Sequence, residues 1–176
     1  MGPAATLKSC LKHPQSMPRG KRTIPRMMKV LSRPQPVFAT VDAVEEAFYD
    51  ALNRGDSSGM MSLWVDDEDA VCVHPSGDRF VGIQAIKSSW EAIFSQGVMT
   101  ITPRSRKAYM SAVIVVHNLV EELTLNSSEG SSKVVSFIIT NVYSRSPKGW
   151  RILMRQSVQT SEEQASLERA RNETIH

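Results

Sequence analysis

Cysteine is scarce in this sequence and long apolar runs are missing. Only Cys10 and Cys72 carry thiols, too few for a disulfide framework, which points to a reducing compartment and, by preference, the cytoplasm. No stretch approaches the roughly 18 consecutive apolar residues of a spanning helix, so a membrane role is set aside. Acidic residues are absent from positions 1–41, which hold Lys8, Lys12, Arg19, Lys21, Arg22, Arg26, Lys29 and Arg33. Aromatic residues are absent from 1–36, where six prolines recur, so this stretch has nothing to order around and reads as a disordered basic arm. Three readings of the arm compete: a tether to nucleic acid or a membrane surface, an organellar transit peptide, or an upstream extension before a start at Met27 or Met28. An apolar stretch of the secretory-signal kind is missing too.

The chain holds 21 basic and 18 acidic residues. With eight of the basic ones in the arm, residues 42–176 carry a net charge of −5. The sequence pI near 9.0 therefore says nothing of a basic binding face on the folded part, and nucleic acid is expected at most through the arm. A phosphate-cradling glycine loop, a nucleophile elbow, a dinucleotide fingerprint and paired metal ligands are all missing, so neither a cofactor nor a metal is expected. The acidic run Asp66, Asp67, Glu68 and Asp69 lacks the glycine-centred spacing of a calcium loop and reads as a solvated corner.

What is present is one domain over 37–160, followed by a charged tail at 161–176 read as solvated. Asp42 with Glu45 three residues on makes a capping-box-like start, and Val44, Phe48 and Ala51 follow at helical spacing. Gly55 suits a left-handed helix end, and Asp56 can cap a second helix carrying Met60, Met61, Leu63 and Trp64. A short strand over 70–74 stops at Pro75, and Ser76-Gly77 turns the chain into a brief strand around Phe80. Ile83, Ile86, Trp90, Ile93 and Phe94 define a third, amphipathic helix. Four extended segments follow at 98–109, 112–125, 133–145 and 150–159, with turn chemistry at 126–130 and 146–149. In the last, Trp150, Ile152 and Met154 alternate with Arg151 and Arg155, predicting a half-buried strand with the arginines on its solvent-leaning face. Helices first and an antiparallel meander second is an α+β arrangement.

The pieces 47–56, 63–67, Val73-His74-Pro75, 82–86 and Gly149-Trp150-Arg151-Ile152, in this order and spacing over about 120 residues, resemble the SnoaL-like branch of the nuclear transport factor 2-like superfamily. The resemblance implies three N-terminal helices packed on a curved, mostly antiparallel sheet, a cone with a pocket between helices and sheet, and a homodimer. The superfamily includes ketosteroid isomerases, cyclases and dehydratases beside members that only bind or assemble. Where the isomerase has its catalytic carboxylate, before the proline that ends the first strand, this chain has His74. Phe48 falls at its oxyanion-hole tyrosine, and Thr140 falls at or near its protonated carboxylate. The His-His-Ala-Ser run of some SnoaL-like relatives is here Arg155-Gln156-Ser157-Val158. The known isomerase constellation is thus absent.

Within this frame His74 is the candidate proton-transfer group, an imidazole at a strand end; the competing reading is a histidine hydrogen-bonded to nearby backbone. Phe48, Trp64, Trp90 and Tyr143 are candidates for lining a small, largely apolar ligand's pocket, or are plain core. Asn141 and Arg155, on neighbouring strands, could hold a ligand carboxylate or carbonyl, unless Arg155 makes a salt bridge. Cys72, two residues before His74, could join His117 at a metal, although a buried structural thiol explains it as well. The expected function is a homodimeric domain holding a small apolar ligand at Phe48, Trp64, His74, Asn141, Tyr143 and Arg155. The alternatives are an isomerase, cyclase or dehydratase using His74, and an assembly module.

Overall fold

The computed structural model describes residues 36–126 and 132–173. The basic arm, apart from Pro36, and the turn expected at 126–130, apart from Asn126, lie outside the described residues. Three helices come first: α1 (Val41–Arg54), α2 (Ser57–Met61) and α3 (Ile83–Phe94). Strands β1 (Val71–Val73) and β2 (Arg79–Val81) stand between α2 and α3. Then β3 (Thr100–Met110), β4 (Ile114–Asn126), β5 (Ser132–Ser146) and β6 (Gly149–Gln159) run as a meander, followed by α4 (Glu162–Glu173).

One curved, unclosed sheet in the order β2-β1-β6-β5-β4-β3 results, with every pairing antiparallel except β1 with β6. The three N-terminal helices pack their apolar stripes on its inner face. Val44, Phe48, Ala51 and Leu52 of α1 and Ile86 and Trp90 of α3 meet Val115, Leu119, Ile139, Tyr143 and Ile152 of the sheet in one core. The α+β cone expected from the sequence is the architecture found.

Local chemistry sets the helix ends. Thr40 caps α1 by accepting from the Ala43 amide at 3.2 Å, so Asp42 sits in the first turn and is not the cap. Gly55 closes the helix at φ 65°. Asp56 caps α2 by accepting from the Gly59 amide at 2.8 Å. α2 ends at Met61, earlier than its apolar run suggests, because Trp64 leaves the helix to bridge Ile152 of β6. Residues 162–173 carry no apolar periodicity, and no helix is legible there. They nevertheless form α4, rich in good helix formers, with Ser161 Oγ accepting from the Gln164 amide and Ala165 buried.

Two bulges shape the sheet. In β6 the register skips Leu153: Tyr143 pairs with Ile152 but Val142 with Met154. One extra residue reverses which side faces the core. Met154 therefore leaves the face it was expected to share with Trp150 and Ile152, and Arg155 turns inward. Arg155 and Arg151 are each 4% exposed, so the solvent-leaning arginine face does not exist. Arg151 lies over the Phe38 ring and donates to the carbonyls of Trp150 and Pro36.

Gly149 opens β6 at φ 89°, directly against the backbone of Phe38, whose carbonyl accepts from the Trp150 amide at 2.9 Å. A methyl group there would collide with Phe38 on a backbone conformation that L residues resist. Gly149→Ala is expected to cost about 2 kcal/mol or more in urea unfolding, whereas Gly97→Ala, with open space around its Cβ, should cost only the strain of its φ of 127°.

Candidate functional site

A polar row crosses the middle of the inner sheet face. His117 of β4 stands opposite Asn141 of β5, Asn141 opposite Arg155 of β6, and Arg155 opposite Cys72 of β1. Glu121 joins it from the same face of β4, where Val115, His117, Leu119 and Glu121 are buried in alternation. Arg155 donates through Nη2 to both oxygens of Glu121, at 2.8 and 2.7 Å, and through Nη1 to Asn141 Oδ1 at 3.1 Å. Its guanidinium also lies 4.6 Å from the centre of the Phe48 ring. Tyr49 donates its hydroxyl to Glu121 at 2.8 Å, and Asn141 donates to the Tyr143 hydroxyl oxygen at 3.1 Å.

The row is a closed electrostatic unit. Burial is the largest influence on Arg155 and disfavours its charge, but the charge and hydrogen bonds of Glu121, together with Tyr49 and Cys72, hold the guanidinium above its ordinary pKa. Burial also pushes the Tyr49 and Tyr143 hydroxyls up, with Glu121 adding to the effect on Tyr49 and Glu45 to that on Tyr143, so neither is an acid at neutral pH. The Cys72 thiol is pushed up to about 12 by burial, against the pull of Arg155. It is an inert thiol and not a thiolate nucleophile.

His74 lies beside this row. Its Nε2 is 3.0 Å from Ser89 Oγ and 4.0 Å from Cys72 Sγ, and its ring packs edge-on to Trp90 and Phe80. Ser89 gives its hydroxyl proton to the Ile86 carbonyl at 2.7 Å, so Oγ accepts from the imidazole and Nε2 carries the proton. Burial, and secondarily the Arg155 charge, push the His74 pKa down to about 4. The imidazole is neutral at pH 7.

A cleft of about 440 Å³ opens elsewhere, between α1 and β3, lined by Asp42, Glu45, Glu46, Tyr49, Arg106 and Leu119 among others. Asn53 pins the end of α1 to β3 by a two-way bond with the Ile101 backbone. The β3 bulge between Arg104 and Lys107, with Ser105 at φ 38°, turns Arg106 onto the helix. Arg106 Nη1 donates to Asp42 Oδ1 at 2.6 Å and to Glu45 Oε2 at 2.8 Å, bonds that raise its pKa, Glu45 contributing most. Glu45 Oε2 is also 3.1 Å from His117 Nδ1.

The structure thus brings Phe48, Asn141, Tyr143 and Arg155 together around one buried network, with His74 next to it. Trp64 enters the core through its bridge to Ile152. All six are buried and none lines the cleft. Cys72 and His117 do not share a metal-ligand cluster; the one found among the described residues is Asp42, Glu45 and His117. Sequence reading misses Glu121, Tyr49, Glu45 and Arg106. The inward alternation of β4 could have found Glu121, but no local pattern joins Glu45 to His117.

Two measurements check this geometry. Glu121→Gln or Arg155→Met alone should each cost about 3 to 5 kcal/mol in urea unfolding, while the double replacement Glu121→Leu with Arg155→Met should cost less than either. For His74, the unfolded imidazole (pKa 6.5) takes its proton before the folded one (about 4). The stability tied to its neutrality is full above pH 6.5 and lost as pH falls toward 4. The wild type should lose about 2 to 3 kcal/mol more over this window than His74→Gln; parallel profiles would contradict a buried neutral imidazole.

Among the described residues no helix is long and apolar enough to cross a membrane. Comparison with curated proteins finds no match. Solved structures do match. A candidate calcium/calmodulin-dependent protein kinase type II association domain from Thiobacillus denitrificans is 28% identical, with a TM-score of 0.66, over 72% of this chain and 99% of that one. A candidate dehydratase of the NTF2-like family from Streptomyces avermitilis is 22% identical, TM-score 0.61, over 68% and 93%. The S. rosetta CaMKII hub is 15% identical, TM-score 0.55, over 68% and 94%. The family model for the SnoaL-like domain matches residues 41–159, nearly the whole of the fold described above, and the chain belongs to that family.

Proposed function

We propose that this domain is a self-assembly module that forms a homodimer through the outer face of its sheet. The observation that carries the reading is the composition of that face. Because His117, Leu119 and Glu121 point inward, their neighbours point outward, and the register stacks them in transverse rows. Val116, Val142 and Met154 form one row, Asn118, Thr140 and Gln156 the next, and Val120, Ile138 and Val158 the third. Two apolar rows thus flank a polar one, with Asn118 donating to Thr140 Oγ1 at 3.1 Å within it. Val158 is 51% exposed.

An apolar, polar, apolar sequence of rows maps onto itself under a two-fold rotation, as an isologous interface requires. Over β4, β5 and β6 these rows carry no charge, unlike a solvated sheet face, and charge begins only at the β3 edge with Arg104 and Lys107. The Thiobacillus relative is named for association and the S. rosetta relative as a hub, which agrees with this reading. The inner face offers less to the alternatives. A small apolar ligand seated at Phe48, Tyr143 and Arg155 would have to displace that network, and His74, neutral and bonded to Ser89, is far from the poise of a general acid or base at pH 7.

Light scattering of the full chain should give twice the chain mass of 19.6 kDa. Ile138→Glu with Val142→Glu should give a monomer with unchanged circular dichroism. A wild type that stays monomeric at concentrations well above micromolar would overturn the proposal.

A further inference from the structure

The edge cleft holds a cluster that self-association does not use. Asp42, Glu45 and His117 each bring one ligand atom within 4.8 Å of the others. Asp42 and Glu45 lie about one turn apart on α1 and His117 comes from β4, so the fold assembles the set. Its central member has an unmet need. Glu45 is only 7% exposed, its Oε2 takes both Arg106 and His117, and its Oε1 is buried without a partner among the described residues. Native proteins rarely leave a buried carboxylate oxygen bare.

The cation now facing the cluster is held through one nitrogen and is nearly half exposed. Arg106 touches both carboxylates with the single nitrogen Nη1 and not with a two-pronged fork. Its side chain is 45% exposed, and it stands in the β3 bulge, outside the ladder of paired residues. It can swing out without breaking a strand hydrogen bond.

We propose that Asp42, Glu45 and His117 bind a divalent transition-metal ion of the Zn²⁺ type, with Arg106 as the tethered cation that occupies the site when the ion leaves. Two carboxylates and one imidazole are the donor set such ions take, whereas calcium and magnesium prefer all-oxygen sites. Glu45 supplies a carboxylate with one oxygen still without a partner among the described residues, and His117 supplies Nδ1 once the proton it shares with Glu45 Oε2 in the ion-free state has moved to Nε2. The open cleft leaves room for water at the remaining coordination positions. The inference is independent of the proposed dimer.

Equilibrium dialysis of the full chain against Zn²⁺, repeated with Co²⁺ for its visible spectrum, tests it. One ion per chain is expected, bound at least tenfold more tightly by Arg106→Gln because the internal competitor is gone. Glu45→Gln and His117→Gln should weaken binding roughly 10- to 100-fold or more. Should either fail to fold, Asp42→Asn replaces a carboxylate that is 72% exposed, and it should weaken binding with circular dichroism unchanged. Binding that ignores Arg106→Gln and Asp42→Asn, no binding at all, or a thiolate charge-transfer band placing cobalt on cysteine would each overturn the assignment.

Discussion

The ion pair between Arg155 and Glu121 is the constraint on which the interior depends. Two opposite charges, each nearly excluded from solvent, survive there because neighbouring groups are enlisted: Asn141 and Tyr49 by hydrogen bonds, Phe48 through its ring face. At this pair helix α1 is tied to the sheet by the apolar packing of Phe48 and Leu52 and by the Tyr49 hydroxyl on Glu121. The β6 bulge is the backbone device that makes the pair possible, since without the skipped Leu153 the guanidinium would face the other way.

A consequence runs from this pair to function. In a fold able to enclose a pocket, the space around Phe48 and Arg155 is taken by their own network and by aromatic rings around His74 and Trp90, and the cleft that remains opens between α1 and β3. The surfaces left for other work are the outer sheet face, with its symmetric rows, and the edge where the β3 bulge meets the start of α1. Both follow from strand alternation: the residues that bury His117 and Glu121 inward are the same ones that leave Val116, Asn118 and Val120 outward. Interior and outer face are two readings of one register.

Much of this was legible in the sequence, for identifiable reasons. Helices α1 and α3 announce themselves by apolar spacing and by Gly55, and the four long strands by alternation between turn residues, so the α+β architecture follows. Asn141 and Arg155 could be grouped from strand order and Phe48 and Tyr143 as apolar lining, although not as parts of one salt-bridged core. What stayed hidden has physical causes. A bulge leaves no mark in composition, so Arg155 reads as solvent-facing when it is buried. Glu45 and His117 are 72 positions apart and meet only after the sheet forms. Helix α4 owes its formation to propensity and a Ser161 cap, signals weaker than an apolar stripe.

The most direct test of the filled interior is the side-chain NMR of Arg155 in the folded full chain. A guanidinium held by Glu121 and Asn141 and covered by Phe48 should show resolved, slowly exchanging Nη protons with hindered rotation at neutral pH. A single averaged signal in fast exchange with water would mean a solvated arginine and an open pocket, and would contradict the account.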